Sequence, residues 1–237
     1  MHKFASDYKI EANYETIYTN IKAMYAYRGI DEFVVESIDM NRSDETEPKL
    51  DVVDPKTFAE QAYNQITSSN FTLWLINRKN LLIITKFEKK EEQDKLLMPH
   101  ISNVLSTFID IKYIMYIMVV KREGSQVCMN KLDKSIKLNF SKFTGTGMIQ
   151  MWHYLEFMSN PSTHCLVPRH EIMSDEDVAE LMLKYNITNK KRIPVILLHD
   201  TMARYINAKV GDIIRITANF QRTGNIVSYR YVSKTEI

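Results

Sequence analysis

The chain has 237 residues, 45% of them hydrophobic and 25% charged, with 31 Lys+Arg against 29 Asp+Glu for a net charge of +2. This composition excludes wholesale disorder and a polycationic nucleic-acid coat, and 6 Gly with 6 Pro exclude a collagen-like repeat. No run reaches the roughly 18–20 apolar residues of a membrane helix, and the first seven residues lack an apolar signal core, so a soluble intracellular chain with no membrane partner is expected.

The first helix is expected over 13–27, where Tyr14, Ile17, Tyr18, Ile21, Met24 and Tyr25 repeat at helical spacing and Gly29 follows as a left-handed cap. Between 37 and 56 the acids Asp39, Asp44, Glu45, Glu47, Asp51 and Asp54 outnumber Arg42, Lys49 and Lys56, which reads mostly as an exposed loop. Asp54-Pro55 then opens a short helix through Phe58 and Ala62, with Asp54 as its N-cap. Two β-prone runs, 71–76 and 81–87, flank Asn77-Arg78-Lys79-Asn80 as a hairpin. A helix over 91–108 places Leu97, Ile101, Val104, Leu105 and Phe108 on one face. The apolar run 113–120 reads as a strand buried on both faces. Asn130 caps a short helix lined by Leu132, Ile136 and Phe140; Thr144-Gly145-Thr146-Gly147 is a turn and 148–152 a strand. This order predicts an α/β domain, its sheet layered with helices.

A boundary is expected in the polar, proline-bearing stretch 159–163, dividing the chain into 1–159 and 160–237. Beyond it, Ser174 caps a helix with Asp175, Glu176 and Asp177 in its first turn and Val178, Leu181, Met182 and Tyr185 as its buried stripe. Asp200 caps a second helix over 201–206. Gly211-Asp212 leads into a strand at 213–217, and after a loop containing Gly224 a strand returns at 226–232. The second part therefore reads as a small α+β module ending in a hairpin. From 164 onward the chain carries 11 Lys+Arg against 8 Asp+Glu, and before it 20 against 21, a split too small to assign nucleic acid to either part.

Chemistry-bearing motifs are scarce. There is no phosphate loop, no GxSxG elbow and no HExxH pair. Cys128 and Cys165 form no CxxC pair and read as two buried thiols. His164 and His170 flank an extended run that sets them ~20 Å apart, too far to share a metal, so packing or hydrogen bonding is expected of both. Glu88-Lys89-Lys90 offers the E-x-K half of a metal-dependent nuclease site, but the adjoining strand 71–76 supplies no second carboxylate. No catalytic residue, metal, cofactor or small-molecule substrate is expected.

His164-Cys165-Leu166-Val167-Pro168-Arg169-His170-Glu171-Ile172-Met173-Ser174 resembles the H-x-L-V-P-x-H-x-x-L-S stretch of the fifth subunit of eukaryotic-type DNA-directed RNA polymerases and of its shorter archaeal counterpart. Lys184-Tyr185-Asn186-Ile187-Thr188 is similar to the family's K-Y-N-I-T, and Ile193-Pro194-Val195-Ile196 to its L-P-x-I. Asp200 with Ala203-Arg204-Tyr205 fits D-P-x-A-R-Y, with Thr201 replacing the proline. Gly211, Thr223-Gly224 and Tyr229-Arg230 fit the closing hairpin, while Ala218-Asn219-Phe220-Gln221 departs from the family's R-P-S-E. Over 1–163 the resemblance lies only in the order of elements.

The resemblance implies a non-catalytic polymerase subunit of the long, eukaryotic-type form. Its C-terminal assembly domain would dock on the largest subunit, and its N-terminal domain would form part of the lower jaw near downstream DNA. It implies partner-binding roles for His164, Leu166, Val167, Pro168, Arg169, His170, Asp200, Arg204, Gly211, Tyr229 and Arg230. Arginine forks at 169, 204 and 230 suit carboxylates or carbonyls of a partner. Lys89, Lys90, Lys121 and Arg122, beside or at strand ends, are the DNA-proximal candidates. A texture rich in Lys, Ile, Asn and Met favours a large DNA virus over an AT-rich protist, which would place the chain in virion and host cytoplasm rather than the nucleus. Two other classes remain to be weighed: a nuclease-like enzyme in the first domain, and a free-standing adaptor that borrows the polymerase-docking module.

Overall fold

A computed structural model of the chain describes residues 13–38, 50–69, 71–86, 99–105, 107, 111, 113–119, 148–220 and 224–234. Most of the acidic stretch, the start of the helix expected over 91–108, the Asn130 helix, the Thr144–Gly147 turn, Cys128, Glu88, Lys89, Lys90, Lys121 and Arg122 lie outside the described residues. The chain divides into two compact units, Met1–Lys22 with Asp31–Ser159 and Ala23–Ile30 with Asn160–Ile237. Helix α1 (Tyr14–Tyr27) thus contributes residues to both, which a boundary read from the linker at 159–163 alone does not capture.

The first unit holds a six-stranded sheet: β1 (Val35–Ile38), β2 (Leu50–Val52), β3 (Phe71–Ile76), β4 (Asn80–Thr85), β5 (Tyr113–Met118) and β6 (Met148–His153), in the order β2-β1-β3-β4-β5-β6. The pairs among β2, β1, β3 and β4 are antiparallel; β4, β5 and β6 run parallel. Two of these strands, β1 and β2, take in the ends of the stretch expected to be loop. They are short, and neighbours place them rather than any apolar alternation of their own: β1 pairs with β3, and β2 with β1.

Alternation assigns the two faces of this sheet. Leu73, Leu75, Leu81, Ile83, Ile114 and Tyr116 form one core with Ile101, Val104 and Leu105 of helix α3 (99–105). On the other face Trp74 packs against Phe58 of helix α2 (Pro55–Ser69) with ring centroids 4.3 Å apart, and Tyr18 of α1 meets Phe58 edge-on at 5.2 Å. α2 runs well past Ala62 because Ile66 continues its buried stripe. Asp54 caps it, its carboxylate accepting the Thr57 N–H at 3.0 Å. That double covering lets β3 and β4 bury five successive residues each.

The β3–β4 hairpin forms as the sequence predicts. Its two central residues, Asn77 and Arg78, are both left-handed, at φ +52° and +55°, as in a type I′ turn. Neither is glycine, and side chains hold the turn instead. Asn77 accepts the Val34 N–H at 2.8 Å and donates to the Glu32 carbonyl at 2.7 Å, while Arg78 pairs with buried Glu36 at 3.1 Å.

The second unit is built on β7 (Arg169–Ile172), β8 (Val195–Leu197), β9 (Ile213–Phe220) and β10 (Gly224–Ser233), in the order β7-β9-β10-β8. Only the last pair is parallel. Helix α4 (Asp175–Lys184) begins where Ser174 accepts the Asp177 N–H, at 3.1 Å, and lays Val178 and Leu181 on Ile193 and Ile213. Tyr185, expected in that stripe, is 56% exposed: it is the C-cap, where the helix has stopped and its face no longer points inward. Helix α5 (Thr201–Tyr205) starts at Asp200, which accepts from Met202 and Ala203. Two strands that the sequence does not announce, β7 and β8, have 4 and 3 residues, too few for a period to show. Gly224 opens β10 rather than lying in a loop.

Candidate partner-docking surface

The segment leading into β7 is held in shape by its own short-range bonds. The His164 Nδ1 accepts the Leu166 N–H at 3.2 Å, and the Val167 N–H donates to the His164 carbonyl at 2.9 Å. This turns Leu166 outward, 81% exposed. Cys165 beside it is also exposed, not the buried thiol expected, because the turn leaves no core to enter. His164 and Arg169 are exposed as well, and Val167 and Pro168 half-buried. Arg169 pairs with Glu171 at 2.6 Å, and Glu171 also accepts from Arg215 on the neighbouring strand at 3.0 Å.

Other residues implied to face a partner are occupied within the unit. His170 is buried, its Nδ1 2.8 Å from the Pro168 carbonyl. Its backbone N–H donates to the Tyr27 hydroxyl at 2.9 Å, and that hydroxyl donates to the His170 carbonyl at 3.1 Å. The Asp200 carboxylate caps α5. Gly211 sits at φ +100°, which admits no ordinary side chain without strain, and its N–H donates to the Val232 carbonyl at 3.0 Å. Tyr229 packs on the Ile213 core, and Arg230 Nη1 donates to the Tyr229 carbonyl at 3.1 Å.

Sequence reading missed Arg28, which lies in the part of the N-terminal segment belonging to this unit. Its Nε donates to the Tyr205 carbonyl at 2.7 Å and its Nη2 to the Arg204 carbonyl at 3.0 Å. A guanidinium thereby satisfies the Tyr205 carbonyl at the negative end of α5 and adds a second donor to the Arg204 carbonyl, which also accepts the Asn207 N–H at 3.0 Å. Tyr27 stacks edge-on against Tyr205 at 5.5 Å. The Tyr205 hydroxyl in turn donates to Asn160 at 3.0 Å; burial pushes its pKa up, against the lowering effect of its hydrogen bonds to Ser162 and Asn160 and of the Arg28 charge. The sole sequence signal for Arg28 is a cation past the end of an apolar helix; its partners are 176 and 177 residues away.

The sheet register sets the candidates Tyr229 and Arg230 in different cross-strand rows. Glu171, Arg215 and Tyr229 form one cross-strand row on the α4 side; Ile172, Ile214 and Arg230 form the next row, on the opposite face. Asp200 caps α5 and Arg204 lies on it, so the implied residues are distributed over the lead-in turn, β7, α5, the turn at Gly211 and β10. Among the described residues no three His, Cys, Asp or Glu side chains are placed to hold a metal ion, and no helix is long and apolar enough to cross a membrane.

A family model described as the C-terminal domain of RNA polymerase Rpb5 matches residues 159–232. Curated relatives named DNA-directed RNA polymerase subunit Rpo5 align over the same length. The protein from Metallosphaera sedula is 42% identical over 73 residues, 31% of this chain and 87% of its own. That from Saccharolobus shibatae is 44% identical over 73 residues, covering 31% and 86%, and that from Sulfurisphaera tokodaii 40% over the same shares.

Proposed function

The chain belongs to the Rpb5/Rpo5 family of RNA polymerase subunits, and from that premise we propose that its C-terminal unit docks on the largest subunit while its N-terminal unit forms part of the jaw beside downstream DNA. As a member it is a non-catalytic subunit of a DNA-directed RNA polymerase, with other polymerase subunits as partners. The observation that carries the docking reading is the exposed lead-in turn: Leu166, with His164 and Arg169 beside it, projects from a segment whose shape its own hydrogen bonds fix. Val167 and Pro168 stiffen that turn. His170, Asp200, Gly211 and Tyr229 act by shaping the module, and Arg204 and Arg230 supply planar donors to the partner. Lys89, Lys90, Lys121 and Arg122 remain the residues assigned to DNA. A source among large DNA viruses, favoured by composition, places assembly in virion and host cytoplasm.

The nuclease-like reading is not favoured, since the relatives are polymerase subunits and strand β3 contains no carboxylate. An adaptor is separated from a true subunit by stoichiometry. Purification of the tagged full chain should return polymerase subunits in fixed ratio to it. Leu166→Asp should reduce the recovery of the largest subunit without changing the chain's melting temperature. Full recovery with that variant would sink the docking assignment.

A further inference from the structure

Strand β10 runs past the end of its neighbour. β8 pairs only with Tyr231, Val232 and Ser233, so along 224–230 the side of β10 away from β9 has no strand partner among the described residues. The ladder bonds say which groups face that side. Val232 exchanges bonds with the β9 end, its N–H donating to the Asp212 carbonyl and its carbonyl accepting from Gly211. Tyr231 N–H donates the other way, to Pro194 at 2.9 Å. With the β9 register unbroken from Gly224 to Tyr231, the even residues therefore face β9, and the N–H groups of Asn225, Val227 and Tyr229 face the open side. The open edge is about 20 Å long.

Such edges are ordinarily blunted by charge, proline or a bulge. Here the outward row is Asn225, Val227 and Tyr229, with Val227 45% and Ile226 48% exposed. Cations gather beside it. Tyr229 meets exposed Tyr185 at 6.4 Å between ring centroids, and the Lys184 ammonium lies 5.7 Å from the Tyr185 ring. Arg230 is folded onto the Tyr229 carbonyl at this edge. Lys190, Lys191 and Arg192 form the turn that precedes β8 by two residues. Of the acids, Glu171 is taken up by Arg169 and Arg215, Asp175, Glu176 and Asp177 occupy the far end of α4 from Lys184, and Glu180 lies one turn before Lys184 on the same helix, leaving the cations in excess.

We propose that an extended, acidic segment of another polymerase chain adds as a strand along Gly224–Arg230, its backbone bonding to Asn225, Val227 and Tyr229 and its carboxylates meeting Lys184, Arg230 and the Lys190–Arg192 turn. This rests on the reading of the chain as a subunit that docks through its C-terminal unit, and it adds the mode of docking and the charge of the partner. Lead-in turn and open edge are then two separate parts of the contact.

The test uses the full chain and polymerase prepared without it. In the reconstituted enzyme, amide hydrogen exchange over 224–230 should slow relative to the chain alone. Val227→Pro removes a donor only from the open side, so it should weaken retention about tenfold and leave the melting temperature of the chain unchanged. Lys184→Glu with Lys191→Glu should weaken retention at low salt more than at high salt. Photocrosslinking from position 227 should capture a segment with an excess of Asp and Glu. Retention with unchanged exchange over 224–230 overturns strand addition and leaves docking intact, whether or not Val227→Pro folds. Capture of a segment without acidic excess overturns the charge assignment. Absence of any retention overturns the docking reading itself.

Discussion

In the first unit β3 and β4 each bury five of their six residues, whereas in the second β7 buries only His170 of four and β10 only Val232 of ten. The strands differ in composition, nearly all apolar in β3 and β4 and mixed with polar residues in β7 and β10. The number of layers differs with it: α2 and α3 give the first sheet two dry faces, while the second sheet has half-covered rows running out to exposed Ile226 and Val227. A strand buried on both faces spends its side chains on its own core. A strand with exposed rows and an open edge still has surface and hydrogen bonds to give to another molecule. The family likeness lies in the second unit, at 159–232, and its motif residues serve partly to shape that open module and partly to project from it.

Core substitutions should separate the two regions most widely. Trp74→Ala, which empties the space beside Phe58, should cost about 3–5 kcal/mol in urea denaturation. Leu183→Ala, at a residue 84% exposed, should stay within about 0.5 kcal/mol. Comparable losses from the two would break the contrast.

The next effect sharpens where the second unit ends. Arg28→Ala removes two charge-assisted bonds to the end of α5 and should destabilise the unit by about 2–3 kcal/mol. A fragment of 160–237 lacks Tyr27 and Arg28 altogether and should melt below a version carrying 23–30 in trans or by fusion. Equal melting temperatures would show that the N-terminal segment contributes nothing to it. Ser174→Ala, removing the cap of α4, should cost about 1 kcal/mol by the same measurement.

The smallest effects are in pH. Asp54, in the first unit, has its carboxyl held below the ordinary value of 3.8 by hydrogen bonds from the Thr57 side chain and backbone. A depressed native pKa gives stability that is present above the unfolded value and is lost as pH falls through the native one. Melting temperature should therefore fall on acidification below about pH 4, and Asp54→Asn should flatten that part of the profile. Glu176, in the first turn of α4, is lowered too, by its own backbone N–H and then by Ser174, so Ser174→Ala should shift the acid limb of the second unit. At the alkaline end Tyr14 is pushed up to about 12 by burial first and by Tyr154 and Tyr63 next. Its contribution is complete below pH 10 and is lost as pH rises towards 12, which phenolate absorbance in wild type and Tyr14→Phe would follow.

Local chemistry makes much of this fold legible. Asp54, Ser174 and Asp200 each cap the helix that the sequence predicts after them, because a side-chain oxygen before a periodic apolar stripe acts over three residues. The Asn77–Asn80 hairpin and the Tyr113 strand are readable for the same reason: their signals are contiguous. Strands β1, β2, β7 and β8 are not, since three or four residues, even the wholly apolar Val195–Leu197, are too few to show a period and acquire strand geometry from a neighbour. Helical period alone places Tyr185 inside, one residue after the helix has ended. The motif at His164–Ser174 identifies the family, yet it does not distinguish Leu166, which points out, from His170, which is locked between Pro168 and Tyr27. That distinction needs residues more than 140 positions apart.

The contact between Arg28 and the α5 carbonyls also sets a timetable. Tyr205 is made 177 residues after Arg28, which at about 5–20 residues per second is roughly 9–35 s of translation. Through that interval the nascent chain carries the tail of α1 with its guanidinium and the Tyr27 ring waiting for elements that do not yet exist. The second unit thus closes only after α5 is made, and a ribosome stalled between Ser159 and α5 holds a chain whose first unit is fully made but whose second is not. The order of the sequence makes closure of the second unit a report that the chain has been translated through α5.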